Sequence, residues 1–249
     1  MNHFSKKNYL VIGATSGIGK SVSSLLAAEG ANIILMARSE KNLAHVKAGL
    51  SPGKHTIIPY DVADIENISS LIDEIKSEYH IINGMIFCVG CGHSSRLRDI
   101  SLIDMQFTMQ ANCFSFIEFV RKLVSVKNKT QSLRIVAISS LASTEFKKYL
   151  TMYAASKAAL EASIRCLATE LGRKNIRINA IRPAFVDTPR LEQLDDITGS
   201  VEKRLKENGY QPLGLIPPDD VAAMVLYLLS DTASSINGVC ISINGGASC

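Results

Sequence analysis

Tyr9-Leu10-Val11-Ile12, followed at once by Gly13-Ala14-Thr15-Ser16-Gly17-Ile18-Gly19, decides the architecture of this 249-residue chain. Four apolar residues stopped by a glycine read as a buried strand, and the stretch from Gly17 reads as the start of a helix. Glycine is needed where the backbone turns tightly, where it meets a pyrophosphate, and where a helix packs closely on a strand. The N–H groups left free at such a helix start, together with the helix dipole, attract phosphate. The spacing is Gly-x-x-x-Gly-x-Gly rather than Gly-x-Gly-x-x-Gly. Directly after the first strand it points to a dinucleotide, although the same glycines can also be no more than a tight turn.

Working outward, short β-branched runs alternate with helical stretches. Tyr9–Ile12, Asn32–Met36, His55–Pro59, Gly84–Val89, Leu133–Ser139, Arg177–Ile181 and Val239–Ile243 are predicted strands, each apolar on both faces. Helices are predicted near 17–29, 41–48, 64–78, 101–127, 151–173 and 219–230. Such alternation implies right-handed crossovers and a doubly wound, parallel α/β sheet of about seven strands with helices on both faces. No linker, repeat or low-complexity tract interrupts it, so residues 1–249 form one domain. Its dinucleotide half is about 1–90, and its catalytic and substrate half about 91–249. The stretch 187–218, with prolines at both ends and a charged middle, is the place for a lid over a site.

Composition removes other classes. Forty-seven per cent hydrophobic and 20% charged residues exclude a disordered or fibrous chain. A net charge of +4, spread along the chain, with no Trp, gives no basic patch or stacking platform for nucleic acid. The longest stretch free of Asp, Glu, Lys and Arg, Thr232 to Cys249, is rich in Ser, Asn and Gly and does not read as a membrane span. Lys6 and Lys7 precede an apolar run too short for a signal peptide, so a cytoplasmic location is expected. Cys88, Cys91, Cys113, Cys166, Cys240 and Cys249 fit that as reduced thiols, mostly in apolar runs. Cys88-Val89-Gly90-Cys91 spells Cys-x-x-Cys beside His93, but neither a helix start nor a second ligand pair accompanies it. His3, His45, His55 and His80 lie too far apart for a ligand set, and no metal is expected.

The second strand ends Met36-Ala37-Arg38-Ser39, without the carboxylate that would bond the ribose hydroxyls of NAD. Arg38 offers a charged planar fork for a 2′-phosphate and Ser39 a hydroxyl, so NADP(H) is expected over NAD(H). An ordinary surface arginine is the alternative. Further along, Tyr153-Ala154-Ala155-Ser156-Lys157 opens a helix, and the separation of four puts Tyr153 and Lys157 on one face. A free phenol ionises near 10, too high for proton transfer near neutrality, and a close ammonium brings it down. Tyr-x-x-x-Lys by itself is often a surface pair. Ser140 ends a strand thirteen residues earlier, where strand C-termini line a ligand crevice, and Asn112 lies inside an amphipathic helix. Each of these can also be a cap or a helix-surface residue.

Taken together, the glycine loop, Asn112, Ser140 and Tyr153/Lys157 resemble the short-chain dehydrogenase/reductase family, a Rossmann-type fold. The resemblance is strongest to its single-domain members such as the 3-oxoacyl-(acyl-carrier-protein) reductases, and it covers essentially the whole chain. Asp61-Val62, Pro183-Ala184-Phe185-Val186-Asp187-Thr188 and Asn244-Gly245-Gly246 match further family motifs. The resemblance implies that Asp61 and Val62 contact adenine, and that Pro183, Val186 and Thr188 lie at the nicotinamide. Gly13, Thr15, Ser16, Gly17, Ile18 and Gly19 would cradle the phosphates, with Cys88 and Gly90 against the cofactor. It implies hydride exchange between NADP(H) and a carbonyl or secondary alcohol. Tyr153 would serve as proton donor, Ser140 would orient the oxygen, Lys157 would tune the phenol and hold the ribose, and Asn112 would hold a water.

Three positions depart from the family pattern. Phe87-Cys88-Val89-Gly90 stands for Asn-Asn-Ala-Gly, Ile12 for a threonine and Ala184 for a glycine. Gly90 keeps the close backbone approach, so altered stability is expected more than lost chemistry.

The substrate is expected between Leu141–Met152 and the 190–216 lid. Glu145, Lys147 and Lys148 in the first segment suggest a polar or carrier-bound molecule. An acidic acyl carrier protein could meet Lys127, Lys129, Arg173, Lys174 and Arg177, although solvated helix ends explain those charges equally well. A 3-oxoacyl thioester leads by resemblance. Sugars, steroids or other secondary alcohols follow, and a non-catalytic dinucleotide-binding scaffold is the rival class. Surplus apolar faces on the 101–127 and 151–173 helices predict a homotetramer or homodimer.

Overall fold

The computed structural model describes residues 3–92, 94–125, 132–191, 205 and 209–247. Seven strands lie side by side: β1 (Asn8–Ile12), β2 (Asn32–Ala37), β3 (Thr56–Pro59), β4 (Gly84–Phe87), β5 (Leu133–Ile138), β6 (Ile176–Pro183) and β7 (Cys240–Ile243). Their order is β3-β2-β1-β4-β5-β6-β7, and every pairing is parallel. The chain order reverses direction between β1 and β4, and a doubly wound sheet opens a ligand crevice at that point.

Helices cover both faces, because alternate residues of each strand supply two separate cores. Leu10 and Ile12 join Ile68, Ile72, Phe116, Phe119, Leu160 and Ile164 on one face. The helices there are α3 (Ile68–Tyr79), α5 (Ser115–Val124) and α6 (Thr151–Leu171). Tyr9 and Val11 join Val22, Leu26, Leu43, Val46, Val221 and Val225 on the other. That face carries α1 (Gly17–Ala28), α2 (Glu40–Ala48) and α7 (Pro218–Leu229). Among the described residues no helix is long and apolar enough to cross a membrane.

Two sequence expectations are corrected. The helix expected over 101–127 is α4 (Leu102–Met109), then one π-helical stretch, Gln110–Phe114, then α5. The wide turn holds Asn112, fully buried, and a π segment commonly marks a functional position in a helix. The helix expected from 64 begins only at Ile68, because Asp61 turns the chain by accepting the Ala63 N–H at 3.0 Å. Residues 192–204 and 206–208 of the stretch expected as a lid, together with His93, Lys127, Lys129 and Cys249, lie outside the described residues.

Candidate active site

At the C-terminal edge of the sheet a cleft of about 780 Å³ runs from the glycine loop to the first turn of α6. Gly13, Ser16, Gly17, Ile18, Gly19 and Arg38 wall one end. The loop is locked by close approach: a Cβ on Gly17, whose φ is +50°, would lie 2.8 Å from Thr188 Cγ2. A Cβ on Gly19 would run into the Gly13 carbonyl, so the first turn of α1 stays against the loop. Ser16 precedes α1 without a side-chain cap bond, and the first turn contains no acidic residue. This cradle suits a pyrophosphate on the helix N-terminus. Arg38 is exposed on this wall, just past the end of β2. Ser39 caps α2 by accepting the Asn42 N–H at 3.3 Å, so its hydroxyl oxygen already has one partner. Thr15, Ser39, Asp61 and Val62 are not part of the cleft wall in this structure; Val62 packs in the core.

The other end gathers Ser140, Tyr153 and Lys157, with Cys88, Gly90, Pro183, Val186 and Thr188 between them and the loop. Lys157 is 1% exposed, a costly place for an ammonium unless it is paired. Its Nζ donates to Val89 O and Ile138 O, both at 2.8 Å, just past β4 and at the end of β5, and stands 5.9 Å from the Tyr153 ring centre. Burial and the nearby Arg190 lower its pKa, and Tyr153 opposes them. Burial by itself would push the Tyr153 phenol up, but Lys157, Arg190 and a hydrogen bond with Ser140 outweigh it and hold the phenol below its ordinary value near 10.

Asn112 does not line the cleft. Its Oδ1 accepts the Cys91 N–H at 2.7 Å, and its Nδ2 donates to Cys91 O at 2.7 Å and to Ser156 Oγ at 2.9 Å. The amide therefore ties the loop after β4 to α6, directly behind Tyr153.

Several groups at this site are not evident in the sequence motifs. Glu161, one turn beyond Lys157 and 2% exposed, accepts Ser139 Oγ at 2.7 Å, Ser143 Oγ, and the guanidinium of Arg182. Two serines flanking Ser140 are thus pinned to the helix that carries Tyr153. The signal was available as a carboxylate four residues after Lys157, on the buried stripe of α6. Tyr210 donates to Glu145, whose Oε1 is buried without a partner among the described residues, and Lys147 Nζ sits 3.5 Å above the Tyr210 ring. Gln211 clasps both main-chain groups of Phe185 at 3.0 Å and packs under the Gly245-Gly246 turn. Arg190 enters the cleft beside Tyr153.

Of the five cations expected to meet a carrier, Arg173, Lys174 and Arg177 are described, and the structure corrects their part. Arg177 is buried and holds Ile236 O and Ser230 O, so it cannot meet a partner. Arg173 and Lys174 are exposed, but they follow the C-terminus of the 21-residue α6. At 1.5 Å per residue that places them roughly 30 Å from the site at its N-terminus.

The remaining sequence candidates are structural. Burial pushes the Cys88 thiol up to about 12, the opposite of a reactive dithiol, and His55 is tied to Ile33 N and Ser51 O. Among the described residues no group of His, Cys, Asp and Glu could hold a metal ion.

A parallel sheet with a phosphate cradle at one end of its crevice and, at the other, a half-buried tyrosine beside a buried lysine defines a nicotinamide-dependent oxidoreductase of the short-chain type. Residues 13–248 match the family described as enoyl-(acyl carrier protein) reductase, and the chain belongs to this family of short-chain dehydrogenases/reductases. It is 33% identical to the L-xylulose reductase of Caenorhabditis elegans, covering 98% of this chain and 97% of that protein. It is 31% identical to the 3-oxoacyl-[acyl-carrier-protein] reductase FabG of Thermotoga maritima, covering 95% and 96%. Among solved structures, a 7α-hydroxysteroid dehydrogenase complexed with NADH and 7-oxo glycochenodeoxycholic acid superposes with a TM-score of 0.90 at 27% identity, covering 99% and 96%.

Proposed function

We propose that the protein is an NADP(H)-dependent reductase that converts a carbonyl to a secondary alcohol, with 3-oxoacyl thioesters as the leading substrates. The observation that carries the reaction is the Tyr153 phenol at the cleft, with the buried Lys157 beside it and Ser140 on its hydroxyl. The bound nicotinamide supplies the hydride. Ser140 donates to the substrate oxygen and orients it, and Tyr153 gives its phenolic proton to that oxygen as negative charge develops. Lys157 stabilises the phenolate left behind and, anchored on Val89 O and Ile138 O, presents a fixed charge. Asn112 sets the distance between the Cys91 loop and α6. Run backwards, the same groups take a proton from an alcohol.

NADP(H) is favoured by Arg38 with no acidic residue beside it at the end of β2. The thioester reading draws on the reductase relatives, and Lys147 and Lys148 are the cations at the cleft where an acidic carrier could dock. A second reading, a hydroxylated ketone, is favoured by the orphaned Glu145 Oε1, which would accept a substrate hydroxyl. Turnover of NADPH across acetoacetyl thioesters, ketoses and steroid ketones tests the reading. Ketone-dependent NADPH oxidation is expected with the thioester fastest, and no turnover with any carbonyl would overturn it.

A further inference from the structure

Arg190 acts on the Tyr153 phenol through its charge, but that role leaves its place in the cleft unexplained. It follows Thr188-Pro189 and turns its guanidinium into the cleft, half-buried, 5.0 Å from the centre of the Tyr153 ring. Nη1 donates to Gly90 O and Nη2 lies 3.4 Å from Gly92 O. Two backbone carbonyls thus take two of its five N–H donors. Among the described residues no carboxylate pairs with it. A half-buried guanidinium with free donors and no anion can take one, and at a ligand cleft the missing acceptor is most simply the ligand's.

Its position defines what it can reach. A Cβ built on Gly90 would lie 3.3 Å from Arg190 Nη1, 3.8 Å from Lys157 Nζ and 3.9 Å from the Tyr153 hydroxyl. The guanidinium and the proton donor therefore face one point in the cleft. A molecule with one oxygen on Tyr153 can place a second oxygen on Arg190 only if the two are borne by carbons close together. The surrounding charge agrees. The described residues at this end of the cleft include Lys147, Lys148 and Arg190 against one carboxylate, Glu145, which is bonded by the Tyr210 hydroxyl.

We propose that Arg190 is the specificity-determining residue of the site and binds the carboxyl-type oxygen of a 3-oxo compound, while Tyr153 takes the oxygen being reduced. The oxygen can belong to a free carboxylate or to a thioester carbonyl, and an isolated ketone lacks it. This rests on the carbonyl-reductase reading of the same site, so the test includes a measurement that needs no turnover.

Three substrates are compared with NADPH: acetoacetate, the N-acetylcysteamine thioester of acetoacetate, and 2-pentanone, in the wild type, Arg190→Ala and Arg190→Lys. In Arg190→Ala, kcat/KM for at least one 3-oxo carboxyl substrate is expected to fall tenfold or more, carried by KM. The value for 2-pentanone is expected to fall by a smaller factor, the part that reflects only the loss of the Arg190 charge beside the Tyr153 phenol. Arg190→Lys recovers part of the loss if the carboxylate is the ligand and little if the thioester carbonyl is, because a point charge replaces a fork. In parallel, 3-hydroxybutyrate and 2-butanol are titrated calorimetrically into the enzyme with NADP+ present. Wild-type binding of the hydroxy acid that Arg190→Ala loses supports the proposal even if no ketone turns over. Binding of neither compound, together with an equal loss on all three ketones, overturns it and leaves Arg190 acting on Tyr153. Tenfold tighter NADPH binding by Arg190→Ala also overturns it, since the side chain would then be competing with the cofactor.

Discussion

The ammonium of Lys157 stands 5.9 Å from the centre of the Tyr153 ring, one turn further along the same helix and anchored by two carbonyls from neighbouring strands. Neither group can drift, so the charge acting on the phenol is fixed before any substrate arrives. Coulomb attraction at this range is worth on the order of a few kcal/mol near a protein surface. It is felt in the deprotonated state of the tyrosine and hardly in the protonated one.

That asymmetry sets a pH dependence. The Tyr153 phenol is held below its ordinary value near 10. Ketone reduction requires the protonated phenol, so its rate is expected to fall as pH rises through this lowered value. Alcohol oxidation requires the phenolate and is expected to rise over the same interval. Rate profiles in both directions check this; a reduction rate still flat beyond pH 10 contradicts it. Tyr153→Phe keeps the ring and removes the donor, with an expected loss of about 10²–10⁴ in turnover and little change in NADPH affinity. A variant keeping more than a tenth of the wild-type rate means the proton comes from elsewhere.

Arg38 carries the cofactor choice. NADPH is expected to bind at least tenfold tighter than NADH, about 1.4 kcal/mol, and Arg38→Asp to reverse the order by repelling the 2′-phosphate. Fluorescence titration of both cofactors into both proteins measures this. Equal affinities in the wild type contradict it.

What was legible in the sequence follows the range of the interactions. The glycine loop, the Tyr153–Lys157 spacing and the strand-helix alternation are local patterns, and the structure places them as read. The π turn at Gln110–Phe114 has no local signature, because it exists to bury Asn112 against Cys91 and Ser156, residues 21 and 44 positions away. Arg177 read as a surface cation because its partners, Ser230 O and Ile236 O, lie more than 50 residues on. Arg190 escaped notice for the same reason. Its contacts are with Gly90 and Gly92, a hundred residues back, across the cleft.

Assembly is readable from what the fold leaves uncovered. Leu102 is 67% exposed and Ile103 76%, and Phe107 and Phe114 are also exposed along the α4–π stretch. Apolar surface of this extent on one helical run is expected to be covered by a second copy of the chain, giving a homodimer or homotetramer. Light scattering at micromolar concentration tests it, and a mass of 27.0 kDa, that of one chain, refutes it.

The last expectation concerns the brace behind the site. Glu161 and Arg182, with 3% and 13% of their side chains exposed, form an ion pair that also holds Ser139 and Ser143 on either side of Ser140. Burial alone would raise the Glu161 pKa. The hydrogen bonds from Arg182, Ser143 and Ser139 and the Arg182 charge reverse that and leave it below its ordinary value. A carboxylate depressed in the folded state contributes stability above the unfolded-state pKa, about 4.3, and loses it as pH falls through the folded-state value. The contribution is therefore intact at neutral pH and is lost below about pH 4. Glu161→Gln leaves Arg182 without its counter-charge, and removing one partner of a buried pair costs about 3 kcal/mol. For a chain of this size that lowers Tm by roughly 6–12 °C. The acid-induced loss of stability expected of the wild type should shrink in the variant, since the titrating group is gone. The amide Oε1 can still accept from Ser139 and Ser143 but without the charge that strengthens those bonds, so kcat is also expected to fall modestly while NADPH affinity stays close to that of the wild type. Thermal melts at pH 7 and at stepwise lower pH read the first two effects, and steady-state kinetics reads the third. A variant melting within about 2 °C of the wild type, with kcat unchanged, would show that the Glu161 charge does not hold the Ser140 strand end.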